Sequence, residues 1–205
     1  MIRIGIIGDI GSGKSYVAKQ FGFPVFNADN EVNKIYKKNR KCFKKLKKTF
    51  PNHIFSFQVK KKELSRVVLE NKNNVKKINK IVHPEVRWRI KKFIKEHKKK
   101  KAVVLDIPLL LEGKINKKID ILVFVESKKK EINKRLRKRH NFNPGVFKKL
   151  KKLQLPLETK KKKSNFIIKN NFKSMFVKKN VKIIKNKILK NERSSSWYGN
   201  NWSWS

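Results

Sequence analysis

Residues 2–15 read IRIGIIGDIGSGKS, and helical spacing of Val17, Ala18 and Phe21 begins directly behind them. An isoleucine-rich run bounded by Gly8 predicts a short buried strand, and the small or apolar residues after Ser15 predict a helix. Strand, glycine loop and helix therefore follow in that order. The loop matches G-x-x-x-x-G-K-[ST] at every fixed position, through Gly8, Gly13, Lys14 and Ser15. Its chemistry is that of a polyphosphate site. Glycines let backbone N–H groups turn inward around phosphate oxygens, and the helix behind presents its N-terminus to the same anion. Lys14 reaches the β- and γ-phosphates and the Ser15 hydroxyl ligates Mg²⁺. The expected nucleotide contacts are Gly8, Asp9, Ile10, Gly11, Ser12, Gly13, Lys14, Ser15 and the adjoining Tyr16, although the motif leaves Asp9 and Ile10 unconstrained.

Working outward, FPVFNAD (23–29) predicts a second short strand ending on Asp29, and NEVNKIYKK opens a helix with Val32, Ile35 and Tyr36 on one face. Residues 40–100 are helical in pattern, broken by Pro51 and the FPNHIFSF loop, with Leu64, Val67, Val68, Val75, Ile78, Ile81 and Val82 as core positions. Lying between two strands, residues from about 30 to 100 are expected to form an inserted helical lobe. AVVLDIP (102–108) and IDILVFVE (119–126) are compact apolar runs of the kind a parallel sheet covered on both faces requires. Residues 128–155 predict a helix, a turn at Asn143-Pro144-Gly145 and a second helix; NFIIKN (165–170) is a last strand and 172–190 a closing helix. The alternation predicts a doubly wound parallel α/β fold, one domain over residues 1–192. RSSSWYGNNWSWS (193–205) holds three of the four tryptophans and no lysine, and reads as a disordered tail outside that fold.

Lys plus Arg number 57 against 14 Asp plus Glu, a formal net charge of +43, which would ordinarily suggest a polyanionic partner. The distribution argues otherwise. Residues 1–33 carry three basic and three acidic side chains, and the excess falls in runs such as KKLKK, HKKKK and TKKKK. These runs alternate with Leu, Ile, Val and Phe at core-like spacing, as solvated helix faces do, so no specific nucleic-acid partner is expected. Cys42 is the single cysteine, which excludes an intramolecular disulfide. No apolar run approaches the ~20 residues that span a bilayer, and MIRIGIIGDIG lacks the marks of a signal peptide. A soluble cytoplasmic protein without a membrane partner, monomeric or weakly oligomeric, is the expectation.

Beyond the loop, Asp29 at a strand end would lie beside the bound ligand, where a carboxylate can accept the proton of an attacking hydroxyl. The same residue could equally cap the helix that follows. Asp106, closing AVVLD, either supports Mg²⁺ or caps the next turn. Arg135, Arg137 and Arg139 are solvated charges or, since arginine is rare here and suits planar phosphate contacts, include a phosphate ligand. His83, before Pro84 at a helix junction, reads as structural when taken alone.

Together these pieces resemble the dephospho-coenzyme A kinases. The likeness runs from about residue 2 to 190 through IGIIGDIGSGKS, Asp29 of FNAD, LSRVVLEN followed by IVHPEV, LDIPLLLEG, LVFVE, the RLRKR helix, Gln154 and NFIIKN. The resemblance implies ATP- and Mg²⁺-dependent transfer of the γ-phosphoryl group to the ribose 3′-hydroxyl of dephospho-coenzyme A. It also implies a core, a helical acceptor lobe and a lid at about 135–160. Carried onto this chain, Lys14 and Ser15 hold phosphates and metal, Asp29 is the base, and Arg139 reaches the transferring phosphate from the lid. His83, Pro84, Leu109, Leu110 and Glu112 line the acceptor side, and Asn170 lies near the adenine. The chain departs from the family pattern at Asn27, where Asp-Ala-Asp is usual, at Ser164-Asn165, where Ala-Asp is usual, and at Tyr16, where Thr is common. None of these touches Lys14, Ser15 or Asp29, so activity is expected to be retained. A nucleoside or nucleoside monophosphate kinase would leave IVHP and IPLLLE unexplained. A basic nucleic-acid-binding protein would interleave its cations with exposed aromatics and bind with steep salt dependence.

Overall fold

The computed structural model describes residues 1–71, 73–108, 111, 119–139 and 142–191. Leu109, Leu110, Glu112 and the 193–205 tail lie outside the described residues. In chain order the elements are β1 (Ile2–Gly8), α1 (Lys14–Gln20), β2 (Val25–Asn27), α2 (Ala28–Lys38), α3 (Arg40–Thr49), α4 (Lys61–Glu70) and α5 (Asn74–Glu96). They continue as β3 (Ala102–Asp106), β4 (Ile121–Glu126), α6 (Lys129–Arg137), α7 (Pro144–Lys152), α8 (Leu157–Lys162), β5 (Phe166–Lys169) and α9 (Ser174–Asn191).

The five strands form one parallel sheet in the order β2-β3-β1-β4-β5. β1 occupies the centre, with Ile4 opposite Val104 on one side and Ile121 on the other. Successive side chains of a strand face opposite ways, and here both faces are dry. Ile7, Phe26, Leu105 and Phe124 pack into a core completed by α2–α5, whereas Ile2, Ile4, Ile6, Val104 and Val123 pack against α1 and α9. The connection from β1 runs to β2 on one side and that from β3 crosses to β4 on the other, so the crevice for a ligand falls between the carboxyl ends of β1 and β3, where Gly8 begins the loop.

Several local expectations are corrected. β2 ends at Asn27, whose side-chain oxygen accepts the Asn30 amide at 2.8 Å and caps α2. Asp29 therefore sits in the first helical turn instead of closing the strand, and it is not the cap. His83 and Pro84 lie inside the 23-residue α5 and mark no junction. Proline removes the hydrogen bond to the Lys80 carbonyl, but Val75, Ile78 and Val82 before it and Val86 and Ile90 after it are all buried, and that packing carries the helix through. Asn143-Pro144-Gly145 is no separate turn: Asn143 accepts the Val146 amide at 3.0 Å, and Pro144 is the first residue of α7. The short α8 was not expected from the pattern.

Helix α2 is held to α5 by charge. Arg89 donates to Glu31 at 2.8 Å and to Glu85 at 3.1 Å, while Lys34 donates to Glu31 at 2.6 Å. These contacts depress the Glu31 pKa and raise that of Arg89, against the opposing effect of burial. Arg89 is only partly buried, so Arg89→Ala is expected to lose about 1–2 kcal/mol. Urea denaturation should show a lower midpoint with an unchanged slope.

Candidate active site

The loop leaves β1 at Gly8 (φ 149°), where a methyl group would stand 2.6 Å from the Val125 carbonyl of the neighbouring strand. Gly13 (φ 87°) is equally constrained, because a methyl there would overlap the Asn170 amide. Between them the chain folds back on itself. The Ser12 amide bonds the Asp9 carbonyl at 3.2 Å, and the amides of Tyr16 and Val17 both return to the Gly13 carbonyl at 3.1 Å. The first-turn amides of Gly13, Lys14 and Ser15 are thus the groups a helix start leaves for an outside acceptor. Ser12 Oγ, inside the same bend, is fully buried without a hydrogen-bond partner among the described residues.

Lys14 is only 9% exposed, and its ammonium donates to the carbonyls of Asp9 at 2.7 Å and Gly8 at 3.4 Å. Burial pushes its pKa below the usual lysine value; Asp106 opposes that, Lys160 adds to it, and Asp29 and Asp9 oppose it further. Lys160, on α8 and 1% exposed, is thus a second buried cation within electrostatic reach of the loop.

Asn27 organises the acidic side of the site. Its Nδ2 donates to Asp106 Oδ2 at 2.6 Å and makes a longer contact to Ser15 Oγ at 3.4 Å, so one neutral amide ties together both sequence-predicted metal ligands. Asp106 is buried at the end of β3 and caps no turn through these contacts. Asp29 opens to solvent on one side but is crowded by protein on the others. That crowding, followed by the neighbouring Asp106, raises its pKa above the ordinary carboxylate value; Lys14, Arg139 and Lys61 pull the other way. The structure thereby brings Asp29, Asp106, Lys14 and Arg139 into one electrostatic neighbourhood. The arrangement can bind a polyphosphate and receive a proton beside it.

Other expected site residues have different places. Asn170 is 3% exposed and committed to the loop: its Nδ2 donates to the Ser12 carbonyl and its Oδ1 accepts the Phe172 amide, both at 2.8 Å. Tyr16 is exposed, its hydroxyl bonding Ser174 of α9 at 2.7 Å, which ties two helices together. Ile10 is half-buried, and its amide donates to the Asp9 carboxylate at 2.7 Å; that carboxylate also lies 3.7 Å from Lys151 of α7. His83 is half-buried with its pKa lowered by burial and then by Arg87, one helical turn on; Pro84 is exposed. Sequence reasoning missed Lys160, hidden in a lysine run, and Ser127, whose hydroxyl donates to the Ser12 carbonyl at 2.9 Å. Asn27 was visible only as a departure from a family pattern.

Gly13→Ala tests the cradle. The added methyl meets both an unfavourable left-handed backbone and the Asn170 amide, so affinity for inorganic tripolyphosphate is expected to fall about tenfold or more. Isothermal titration against the unmodified protein measures it.

Residues 2–175 match the family model described as dephospho-CoA kinase. A dephospho-CoA kinase of Wolbachia pipientis wMel is 34% identical over 186 residues, covering 88% of this chain and 95% of the relative. Among solved structures, TT1252 from Thermus thermophilus superposes with a TM-score of 0.72 at 27% identity, covering 92% of this chain and 97% of that one. The dephospho-CoA kinase from Campylobacter jejuni shares the fold, with a TM-score of 0.65 at 24% identity over 93% of this chain and 98% of its own. With the phosphate cradle, the adjoining carboxylates and these likenesses in agreement, the chain belongs to the dephospho-CoA kinase family.

Proposed function

We propose that the chain transfers the γ-phosphoryl group of ATP to the ribose 3′-hydroxyl of dephospho-coenzyme A in the cytoplasm, yielding coenzyme A and ADP. The observation that supports this reading is the phosphate loop with Asp106 tied through Asn27 to Ser15, and with Asp29 in the first turn of α2 within electrostatic reach of Asp106, Lys14 and Arg139. Asp29 accepts the proton of the 3′-hydroxyl as its oxygen bonds to the γ-phosphorus and the bond to the ADP oxygen breaks. A carboxylate with a raised pKa is the better proton acceptor for that step. Lys14 and the amides at the start of α1 hold the phosphate oxygens, and Arg139 offers a planar, permanent cation to the group in transit.

Ser15 Oγ and the Asp106 carboxylate are hard oxygen donors, linked by Asn27, and they suit Mg²⁺. When bound, that ion neutralises charge on the β- and γ-phosphates. Asn27 keeps the Asp106 carboxylate oriented without adding a further negative charge between it and Ser15. In this reading the segment α6–α8 serves as the lid that brings Arg139 to the site, and α2–α5 form the lobe that receives the acceptor, with His83 and Pro84 on it. The same reading leaves the site Leu109, Leu110 and Glu112 as acceptor contacts.

A transfer assay with ATP and Mg²⁺ offers dephospho-coenzyme A beside adenosine and AMP. Dephospho-coenzyme A should dominate kcat/KM, and equal use of the three acceptors would overturn the assignment. Asp29→Asn should lower kcat by about 10²–10⁴ with little change in ATP affinity.

The pH dependence follows from the Asp29 shift. The base works deprotonated, so activity is lost as pH falls through its raised pKa, and the acid limb of kcat/KM lies above the pKa of an ordinary aspartate. Asn27→Asp adds a carboxylate beside Asp106, disfavours further negative charge and should move that limb to higher pH. A limb at the ordinary aspartate position in the unmodified chain, and unmoved by Asn27→Asp, would remove Asp29 from the role.

A further inference from the structure

Helix α4 ends at Glu70 with no basic residue in its own last turn. The last carbonyls of a helix have no partner within it, and they carry the negative end of its dipole. Here the cation comes from far along the chain. Lys149 Nζ donates to the Val68 carbonyl at 2.9 Å and to the Leu69 carbonyl at 2.5 Å, while Asn74 Nδ2 donates to the Val67 carbonyl at 2.9 Å. Lys149 belongs to α7, and it is half-buried where its neighbours Lys148, Lys151 and Lys152 are exposed.

Helical spacing puts Lys149 on one face with Val146, Leu150 and, just behind α7, Leu153, and these three pack against the core cluster that holds Val67 and Val68 of α4. Gly145, in the first turn of α7, comes so close that a methyl there would stand 2.9 Å from Leu69 Cδ2. Toward the phosphate loop the contact is weaker. Lys151 is exposed and stands 3.7 Å from the Asp9 carboxylate, a pairing that contributes little. Helix α7 is therefore fastened more firmly to the α2–α5 lobe than to the loop. Its other end leads back to Arg139: the Arg139 carbonyl accepts the Phe142 amide at 3.0 Å, and the Phe142 ring packs on Phe147 of α7 with centroids 5.6 Å apart.

Resting on the reading above of α6–α8 as a lid that carries Arg139, we propose that Lys149 is a positioning residue for phosphoryl transfer: it latches the lid to the acceptor lobe at the end of α4 and so fixes Arg139 over the group in transit. The line of contact runs from the α4 carbonyls through Lys149, the Phe147–Phe142 ring pair and the Arg139 carbonyl. Lys149 acts through Arg139 and not on the reacting atoms. With the latch made, acceptor lobe and lid move as one body, so the step that seats the acceptor also delivers the arginine. An arginine delivered together with the acceptor limits transfer to water while the acceptor is absent.

Single-turnover transfer from ATP and Mg²⁺ to dephospho-coenzyme A, with enzyme in excess, compares the unmodified chain with Lys149→Met, Lys149→Arg, Arg139→Gln and the Lys149→Met, Arg139→Gln double variant. Isothermal titration gives the ATP affinity of each. Lys149→Met is expected to slow transfer about 10- to 100-fold and to leave ATP affinity within about twofold, because a misplaced group costs rate in the transition state and not ground-state binding. Lys149→Arg, which can bond the same two carbonyls, should recover most of the rate. In the Arg139→Gln background Lys149→Met should bring no further loss. An unchanged rate in Lys149→Met, or losses that multiply in the double variant, would overturn the latch, as would a parallel fall in ATP affinity, which marks general damage to the fold. Should Lys149→Met fail to fold, Lys149→Gln, which keeps a hydrogen-bond donor on a shorter stem, gives the same comparisons. An Arg139→Gln rate equal to that of the unmodified chain would overturn the lid reading and the latch with it, whereas no transfer by the unmodified chain would defeat the kinase reading on which both rest.

Discussion

The Ser12 carbonyl accepts two side-chain hydrogen bonds, from Ser127 at 2.9 Å and from Asn170 at 2.8 Å, and the geometry of the site depends on that shared acceptor. Ser127 follows β4 and Asn170 follows β5, so a single peptide group fastens the loop after β1 to the ends of two further strands. Parallel pairing sets those ends side by side, with Gly8 opposite Val125 and Glu126 opposite Lys169. The cradle is therefore an extension of the sheet's register. Gly8 and Gly13 are required because a side chain there would meet the Val125 carbonyl of β4 and the Asn170 amide after β5.

Charge in this chain works differently at the surface and at the site. The lysine excess gives a net charge of +43, yet the cleft gathers Asp9, Asp29 and Asp106 around Lys14. Surface cations are solvated and screened, whereas the few charges around the loop act through a less polarisable medium, and the lowered pKa of Lys14 and the raised pKa of Asp29 are the result. The buried Lys160 shares this neighbourhood and adds to the lowering of the Lys14 pKa. A lysine-rich exterior is compatible with the acidic set around Lys14 because surface cations are solvated and screened.

The family departures are absorbed by hydrogen bonding. Asn165 stands where the family usually has aspartate, and its side-chain oxygen accepts the Leu122 amide at 2.8 Å while its own amide donates to the Leu122 carbonyl at 2.9 Å. Ser164, beside it, bonds the carbonyls of Lys160 and Lys161 at 2.9 and 2.8 Å and ends α8. Asn27 goes further, because an amide can donate to Asp106 where a carboxylate would repel it. Asn165 and Asn27 keep an acceptor oxygen where aspartate is usual, Ser164 adds a hydroxyl donor, and Asn27 gains an amide donor as well.

The strand, loop and helix of residues 2–21, the remaining strands and the wound parallel sheet were all legible in sequence, because runs of isoleucine and valine bounded by glycine and polar residues admit few other structures. Lys14 and Ser15 were legible too, since their chemistry is tied to fixed spacing along one bend. Asp29 was recognised as a candidate, but its place in the first turn of α2 was not, because the chain passes from strand to helix at Asn27 with no break that composition can reveal. The continuity of α5 through Pro84, the burial of Lys160 among neighbours that look like solvated lysines, and the commitment of Asn170 to the loop were decided by packing. Side-chain roles that depend on residues more than a hundred positions apart, such as Asn170 on Ser12, are set by the register of the sheet, and only the folded chain contains that register.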